Sequence, residues 1–268
     1  MWGRRPRCDL GHHSFVQPTS QKAWRAGRFW WDWPQPSDST VQPLRALVFD
    51  LEALADVDSA GHRAAFNAAF AQLGLDIEWS AARYRQLQAL PDERRRVAAE
   101  LRKRGVRTEC DVLAELLVDE ICSAKEMILD ETILDADIAP TAGLVDLIAE
   151  AFGAGIGIAI VSRGRHTWVE PLVRQLVGEG LVGTVVTAAD VADTPGANLY
   201  SAALADLGVS AQDSLVFAGS PANQRMAMAA GLPTVLIDGD NTANAPLRVA
   251  DCRRAHDRWQ ESPRPSAA

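Results

Sequence analysis

The chain has 268 residues, a formal net charge of -8 and 47% hydrophobic residues. This length allows one large domain, or a core with a smaller insert, and the apolar share is ordinary for a globular protein. The first 43 residues carry a net charge of +3, which leaves -11 on the remainder. Because an acidic body is a poor electrostatic partner for a polyanion, the charge argues against nucleic acid as a ligand.

The first 43 residues differ in composition from the rest of the chain. Five of the eight tryptophans lie before residue 34 without helical or strand periodicity, and three prolines follow within ten residues. Three interpretations stay open for this extension. It is a disordered tail, a translation-start artefact in which Val41 is the true start, or a Trp/Arg anchor at a membrane interface.

The four cysteines are scattered, and their spacing does not match a zinc site. The longest apolar run, near residues 151–161, is too short and too rich in glycine to span a membrane. The basic N-terminus lacks the apolar stretch of a signal peptide. These features predict a reduced, cytoplasmic protein that does not bind membranes.

Five short runs rich in Val and Ile predict buried parallel strands, because each run is apolar on both faces. In chain order, the runs are Leu44–Phe49, Ile156–Val161, Val182–Thr187, Ser214–Phe217 and Pro233–Ile237. Helical patterns lie between them, over Thr141–Gly153, Trp168–Gly178, Leu199–Leu207 and Pro221–Ala230. Repeated strand–helix units with short loops predict an α/β fold with a doubly wound parallel sheet.

About a hundred residues separate the first two predicted strands, and they contain no convincing strand pattern. Helical faces are predicted for Phe66, Phe70 and Leu73, and for Val112, Leu116, Leu117 and Ile121. We predict a helical cap that lies over the strand ends as a lid. The expected division is an extension at 1–43, a core at 44–56 and 136–245, a cap at 57–135 and a flexible tail at 246–268.

Ligands of such sheets bind beyond the carboxyl ends of the strands, so the residues there are candidate site residues. Asp50 ends the first predicted strand and Ser162 follows the second. The segment FDLEALADVDSAGHRAAFNAAF, which contains Asp50, resembles the opening of haloacid-dehalogenase-like (HAD) phosphatases of the phosphoglycolate phosphatase and β-phosphoglucomutase branch. The segments AIVSRG, TPGANLYSAAL and LVFAGSPANQRMAMAAGLPTVLI resemble its later motifs in order, so the likeness covers nearly all of Leu44–Ile237.

The resemblance implies a Rossmann-like core with a cap inserted after the first strand, and a role for each matching residue. The aspartate at the position of Asp50 attacks phosphorus and becomes an aspartyl phosphate. The acid two residues later, here Glu52, protonates the leaving oxygen and then activates water. Ser162 and Arg163 are expected to bind the phosphoryl group, while Asp50 and Glu52 would help to hold Mg²⁺. The implied ligand is a small phosphorylated metabolite.

The sequence departs from the family pattern at charged positions. Glu52 replaces an aspartate, and its extra methylene moves the carboxylate by roughly 1 Å, which can cost about 10²-fold in rate. Thr194 replaces a lysine, whose unit charge about 4 Å away is worth on the order of 4 kcal/mol, or roughly 10³-fold in rate. Ala218 and Gly219 replace the acidic pair of the metal loop. Ala53 replaces a glycine, so a strained backbone is expected there.

Other residues are candidates to compensate for these losses. Arg163 and Arg165 are alternative cations, and Asp190, Asp238 and Asp240 are alternative metal ligands. Two hypotheses therefore remain. The chain is an impaired Mg²⁺-dependent hydrolase of small phosphate esters, or a non-catalytic relative that binds a phosphometabolite or a protein partner through the same cleft.

Overall fold

The computed structural model describes residues 43–106, 108–192, 198–237 and 245–261, together with the backbone of two short strands near the N-terminus. The chain divides into two compact units, Met1–Val41 and Gln42–Ala268. In the first unit, β1 (Ala23–Arg25) pairs antiparallel with β2 (Arg28–Trp30). The sequence had predicted no strand here, although the aromatic residues of these segments favour strands. The rest of the predicted extension lies outside the described residues.

A five-stranded parallel sheet forms the core of the second unit. Its strands are β3 (Ala46–Asp50), β4 (Gly157–Val161), β5 (Thr184–Val186), β6 (Ser214–Ala218) and β7 (Thr234–Leu236). The order across the sheet is β5-β4-β3-β6-β7, and all neighbours are parallel. The first strand of the sheet is thus central, with the chain winding outward on either side. This arrangement confirms the doubly wound α/β fold.

The described helices of this unit surround the sheet and build the segment between β3 and β4. In chain order they are α1 (Leu51–Leu54), α2 (Ala64–Gln72), α3 (Ala81–Leu87), α4 (Glu93–Arg104), α5 (Asp111–Thr132), α6 (Leu144–Gly153), α7 (His166–Val177), α8 (Ala188–Val191), α9 (Leu199–Leu207), α10 (Pro221–Ala229) and α11 (Val249–Glu261). A π-helical turn, Asp58–Arg63, precedes α2. None of the helices in the described residues is both long and apolar enough to cross a bilayer.

Alternate residues of the central strand face two separate apolar clusters. Leu47 and Phe49 belong to one cluster and Val48 to the other, as the two-residue period of a strand requires. The rings of Phe49 and Phe217, on neighbouring strands, stack with their centroids 4.6 Å apart. The sheet is therefore buried on both faces, and polar chemistry is confined to the ends of its strands.

The segment between β3 and β4 has an apolar core of its own. Phe66, Phe70, Trp79 and Ile121 are fully buried in it. The side chain of Asn67 fixes this core by accepting from the N–H of Trp79 (2.8 Å) and donating to its carbonyl oxygen (3.1 Å). The segment is helical, as expected, while its placement as a separate cap at 57–135 stays a prediction.

The structure adds detail to one expectation and corrects another. The residues predicted to share a helical face, Val112, Leu116, Leu117 and Ile121, all lie in α5, where Ile121 is buried while Val112 and Leu116 are 64% and 56% exposed. The tail, predicted to be flexible from residue 246, contains α11 instead, with Cys252 and His256 fully buried. The imidazole Nε2 of His256 lies 2.6 Å from the carbonyl oxygen of Gln212, which ties α11 to the turn before β6. Residues 262–268 lie outside the described residues.

Candidate active site

Asp50 is the last residue of β3, at the carboxyl end of the central strand, and only 1% of it is exposed. The N–H of Ala53 donates to its Oδ1 at 2.7 Å. The N–H of Gly219, which follows β6, donates to Oδ1 at 2.8 Å and to Oδ2 at 2.9 Å. Burial raises the pKa of Asp50 to about 6, against the opposing effect of these amide hydrogen bonds. The carboxylate is thus held by the main chain from two sides.

Glu52 lies in the first turn of α1, near the Asp50 carboxylate. Its Oε2 accepts a long hydrogen bond, 3.4 Å, from the side-chain amide of Asn223 in α10. Burial, and then the charges of Asp50 and Asp58, raise the pKa of Glu52 to about 8. The charge of Arg163 acts in the opposite direction. The pKa of Glu52 is thus raised further than that of Asp50, so Glu52 is the acid of the pair that holds a proton more strongly.

Ser162 and Arg163 follow β4, the strand next to β3. Ser162 is 4% exposed, and its Oγ accepts from the N–H of Gly164 at 3.1 Å. The N-cap of helix α7 is Arg165, so Ser162 does not cap this helix. Arg163 is exposed and its guanidinium contacts the Sδ of Met226 at 3.0 Å. Both residues lie at the carboxyl ends of the strands, as Asp50 does, and their binding of phosphate stays a prediction.

Arg165, predicted as an alternative phosphate clamp, bonds instead to helix α5. Its guanidinium donates to the carboxylates of Glu126 (2.5 Å) and Asp130 (2.8 Å). These ion pairs join the loop after β4 to the helical segment above it. Because the three side chains are exposed to between 28% and 57%, each pair is worth at most about 1 kcal/mol.

We expect an Arg165→Ala variant to lose about 1 kcal/mol of stability or less, and to exchange the amides at the C-terminal end of α5 faster. Native-state hydrogen exchange measures both. The matched control is Arg174→Ala, which removes an equally exposed ion pair with Glu170 inside α7. If both variants changed the exchange of α5 equally, the ion pairs of Arg165 would not hold this helix.

The chain matches the family model described as "Haloacid dehalogenase-like hydrolase" over residues 47–237. The chain belongs to this family. Protein CbbY of Cupriavidus necator is 31% identical over 198 residues, which are 72% of this chain and 78% of that protein. Protein CbbY of Cereibacter sphaeroides is 30% identical over 212 residues, covering 78% of this chain and 90% of that protein.

Solved structures of HAD-family proteins resemble the fold described above. A crystal structure of CbbY from Rhodobacter sphaeroides in complex with phosphate has a TM-score of 0.57 and 28% identity, over 72% of this chain and 85% of that one. A variant of the same CbbY protein was crystallised with xylulose-(1,5)bisphosphate and gives the same score. This chain is therefore a HAD-family, phosphatase-like protein related to CbbY.

The loop that in HAD phosphatases carries two metal-binding acids is packed tightly here. Ala218 is a fully buried residue of β6. A Cβ added to Gly219 would lie 2.4 Å from the N of Ala53 and from the carbonyl carbon of Glu52. The absence of a side chain is what lets the Gly219 N–H reach Asp50. Ala53 lies within α1, so the strained backbone expected at this position is not found.

The residues that the structure describes do not fit a Mg²⁺ site. Mg²⁺ is held in octahedral geometry by one or two carboxylates together with waters and phosphate oxygens, whereas Ala218 and Gly219, at the end of β6, bring no side-chain oxygen. Within the described ranges, no group of three or more His, Cys, Asp or Glu side chains is arranged to hold a metal. The candidate ligand Asp190 bonds to His166 at 2.9 Å instead. Thr194, Asp238 and Asp240 lie outside the described residues.

Sequence reasoning missed three side chains that shape the acid pair. Asp58, in the π-helical turn, lies close enough to raise the pKa of both Asp50 and Glu52. Tyr200 is fully buried, its hydroxyl donates to the carbonyl oxygen of Asn223 at 3.4 Å, and the charge of Asp50 helps to raise its pKa. Asn223, in α10, donates its side-chain amide to Oε2 of Glu52 at 3.4 Å. Its position lies within the last segment that resembles the family, whereas Asp58 gave no usable signal.

Proposed function

We propose that the chain is an impaired phosphatase of small phosphate esters, of the sugar-phosphate class, that acts through an aspartyl phosphate on Asp50. The observation that carries this proposal is the N–H of Gly219, which donates to both carboxylate oxygens of Asp50. Gly219 stands at a position where HAD phosphatases have a metal-binding acid. The relationship to CbbY, crystallised with phosphate and with xylulose-(1,5)bisphosphate, supports the substrate class.

The proton chemistry of such a reaction is retained. With a pKa of about 6, Asp50 is mainly ionised at neutral pH and has the form of a nucleophile. With a pKa of about 8, Glu52 carries the proton that a leaving oxygen needs, and can later accept one from water. Ser162 keeps its hydroxyl proton to donate to a phosphoryl oxygen, because its Oγ accepts from Gly164. Two acids at one site are thus held in two different protonation states.

The charge chemistry is weakened. A phosphate dianion that approaches ionised Asp50 is repelled unless cations offset both charges. Among the described residues, Arg163 supplies positive charge near Glu52, but it is exposed and therefore screened. Losing one unit charge about 4 Å from the phosphate costs on the order of 4 kcal/mol, which is roughly 10³-fold in rate. We therefore propose slow turnover with little dependence on Mg²⁺.

The test is hydrolysis of p-nitrophenyl phosphate and of a sugar bisphosphate, with Mg²⁺ and with EDTA. We expect slow turnover that Asp50→Asn abolishes and that Mg²⁺ raises by less than about tenfold. The control is Asp146→Asn, which changes an exposed acid of α6 outside the site. Fast turnover with a strict need for Mg²⁺ would contradict the impaired site.

A second candidate function is a non-catalytic protein that binds a phosphometabolite or a protein partner through this cleft. The same tight packing of Gly219 favours it, because it leaves no room for a metal-binding side chain. The assay separates the two functions. The absence of turnover above the buffer rate would favour the non-catalytic function, whereas turnover that survives Asp50→Asn would contradict Asp50 as the nucleophile.

A further inference from the structure

The first two turns of α5 expose three large apolar side chains. Val112, Leu113 and Leu116 are 64%, 42% and 56% exposed, and they lie within five consecutive residues. The apolar core of the segment between β3 and β4 takes other residues of the same helix, Val118 and Ile121, which are buried. Isolated exposed apolar residues are ordinary on a protein surface, whereas a contiguous group of this kind is typical of an interface.

A groove between α4 and α5 lies beside these residues. Its volume is about 290 Å³, and Leu101, Leu117 and Val118 contribute to its apolar lining. Three arginines of α4 also line it, Arg94, Arg95 and Arg102. Leu113 and Leu117 are four residues apart and so share one side of α5. The exposed apolar residues and the groove therefore form one continuous surface, which we call the α4–α5 surface.

The two halves of the α4–α5 surface carry opposite charge. Helix α4 contains six Lys or Arg residues against two Glu. The first ten residues of α5, 111–120, contain four acids and no base. Within one copy, Arg94 pairs with Asp119 and Arg95 with Asp92. Arg102 is exposed and donates to the carbonyl oxygen of Ala98, with no carboxylate partner among the described residues.

We propose that a second copy of this chain binds the α4–α5 surface. A two-fold axis would place the exposed apolar residues of each copy, Val112, Leu113 and Leu116, in the groove of the other. The acids that flank these residues, Asp111 and Glu115, would then face the arginines on the rim of the partner's groove. Self-complementarity of both shape and charge is what an isologous dimer requires.

Sedimentation of the full-length chain over a wide range of concentrations tests the dimer. We expect a reversible dimer that Leu116→Lys weakens by at least about tenfold, because a buried apolar contact becomes a charge. The matched control is Met127→Lys, which changes an equally exposed residue, 60%, at the other end of α5. Since both side chains are exposed in one copy, neither substitution should affect folding, which circular dichroism checks.

Charge reversal sharpens the test. Arg102→Glu and Glu115→Arg should each weaken the dimer, and combining them in one chain should restore it, because the two residues would meet across the axis. A wild-type chain that stays monomeric at the highest concentration would overturn the proposal. So would a dimer that Leu116→Lys and Met127→Lys leave equally tight, since its interface would lie elsewhere.

Discussion

A Gly219→Ala variant is expected to lose about 3 kcal/mol of unfolding free energy, a large effect for one methyl group. The new Cβ would meet the N of Ala53 and the carbonyl carbon of Glu52 at 2.4 Å. Both are main-chain atoms, so no rotation of a side chain relieves the overlap. Moving the loop away withdraws the Gly219 N–H from Asp50, which leaves a buried carboxylate with fewer donors.

Urea unfolding of wild type and variant measures this loss. The matched control is Gly153→Ala at the end of α6, where an added Cβ meets nothing within 4 Å. We expect that control to be neutral or slightly stabilising, since alanine favours a helix over glycine. A Gly219→Ala variant within about 0.5 kcal/mol of wild type would mean that the loop yields easily. An aspartate at position 219 meets the same main-chain atoms, so restoring the metal loop requires movement of α1.

A Glu52→Gln variant is expected to gain stability at high pH. Burial, with the charges of Asp50 and Asp58, raises the pKa of Glu52 from an ordinary 4.5 to about 8. Between these values the folded chain binds a proton that the unfolded chain has released, so stability falls as the pH rises through this window. Asp50, with its pKa raised to about 6, acts in the same direction.

The gain should therefore depend on pH. At pH 5 wild-type Glu52 is already protonated when folded, and the substitution changes little. Near pH 8.5 the glutamine avoids a buried charge, and the variant should gain about 3 kcal/mol more than at pH 5. Urea unfolding in EDTA at both pH values measures the difference. Glu179→Gln, at an exposed glutamate, is the control. Equal effects at both pH values would show that Glu52 ionises normally in the fold.

The sheet and the position of the candidate nucleophile were predictable from the sequence. Five apolar runs became the five strands, each within a few residues, because a strand buried on both faces leaves a continuous apolar signature. Asp50 ends the first run, and the parallel order of the sheet places that end beside Ser162. The helix ends marked by glycine after Leu207 and by proline at 221 were also predicted, because caps are local chemistry.

Other features had no local signature. Helix α11 was predicted as a flexible tail because its sequence is mostly polar. Only Val249, Cys252 and His256 are buried in it, and their burial depends on contacts with α6 and β6. The helix at α5 was predicted, but apolar periodicity does not tell which of its apolar residues the core covers, and Val112 and Leu116 stay exposed. The ion pairs of Arg165 also had no local signature, because its two partners on α5, Asp130 and Glu126, lie 35 and 39 residues away along the chain.

By itself, the sequence determined the α/β sheet, the family and the acid at the carboxyl end of the central strand, because apolar period and short motifs are properties of neighbouring residues. Only the tertiary structure decided what surrounds that acid. The Gly219 N–H reaches Asp50 from 169 residues away, and Asn223 reaches Glu52 from 171 residues away. Hydrogen bonds and pKa values depend on distances of a few ångströms between segments, and those distances are set by packing.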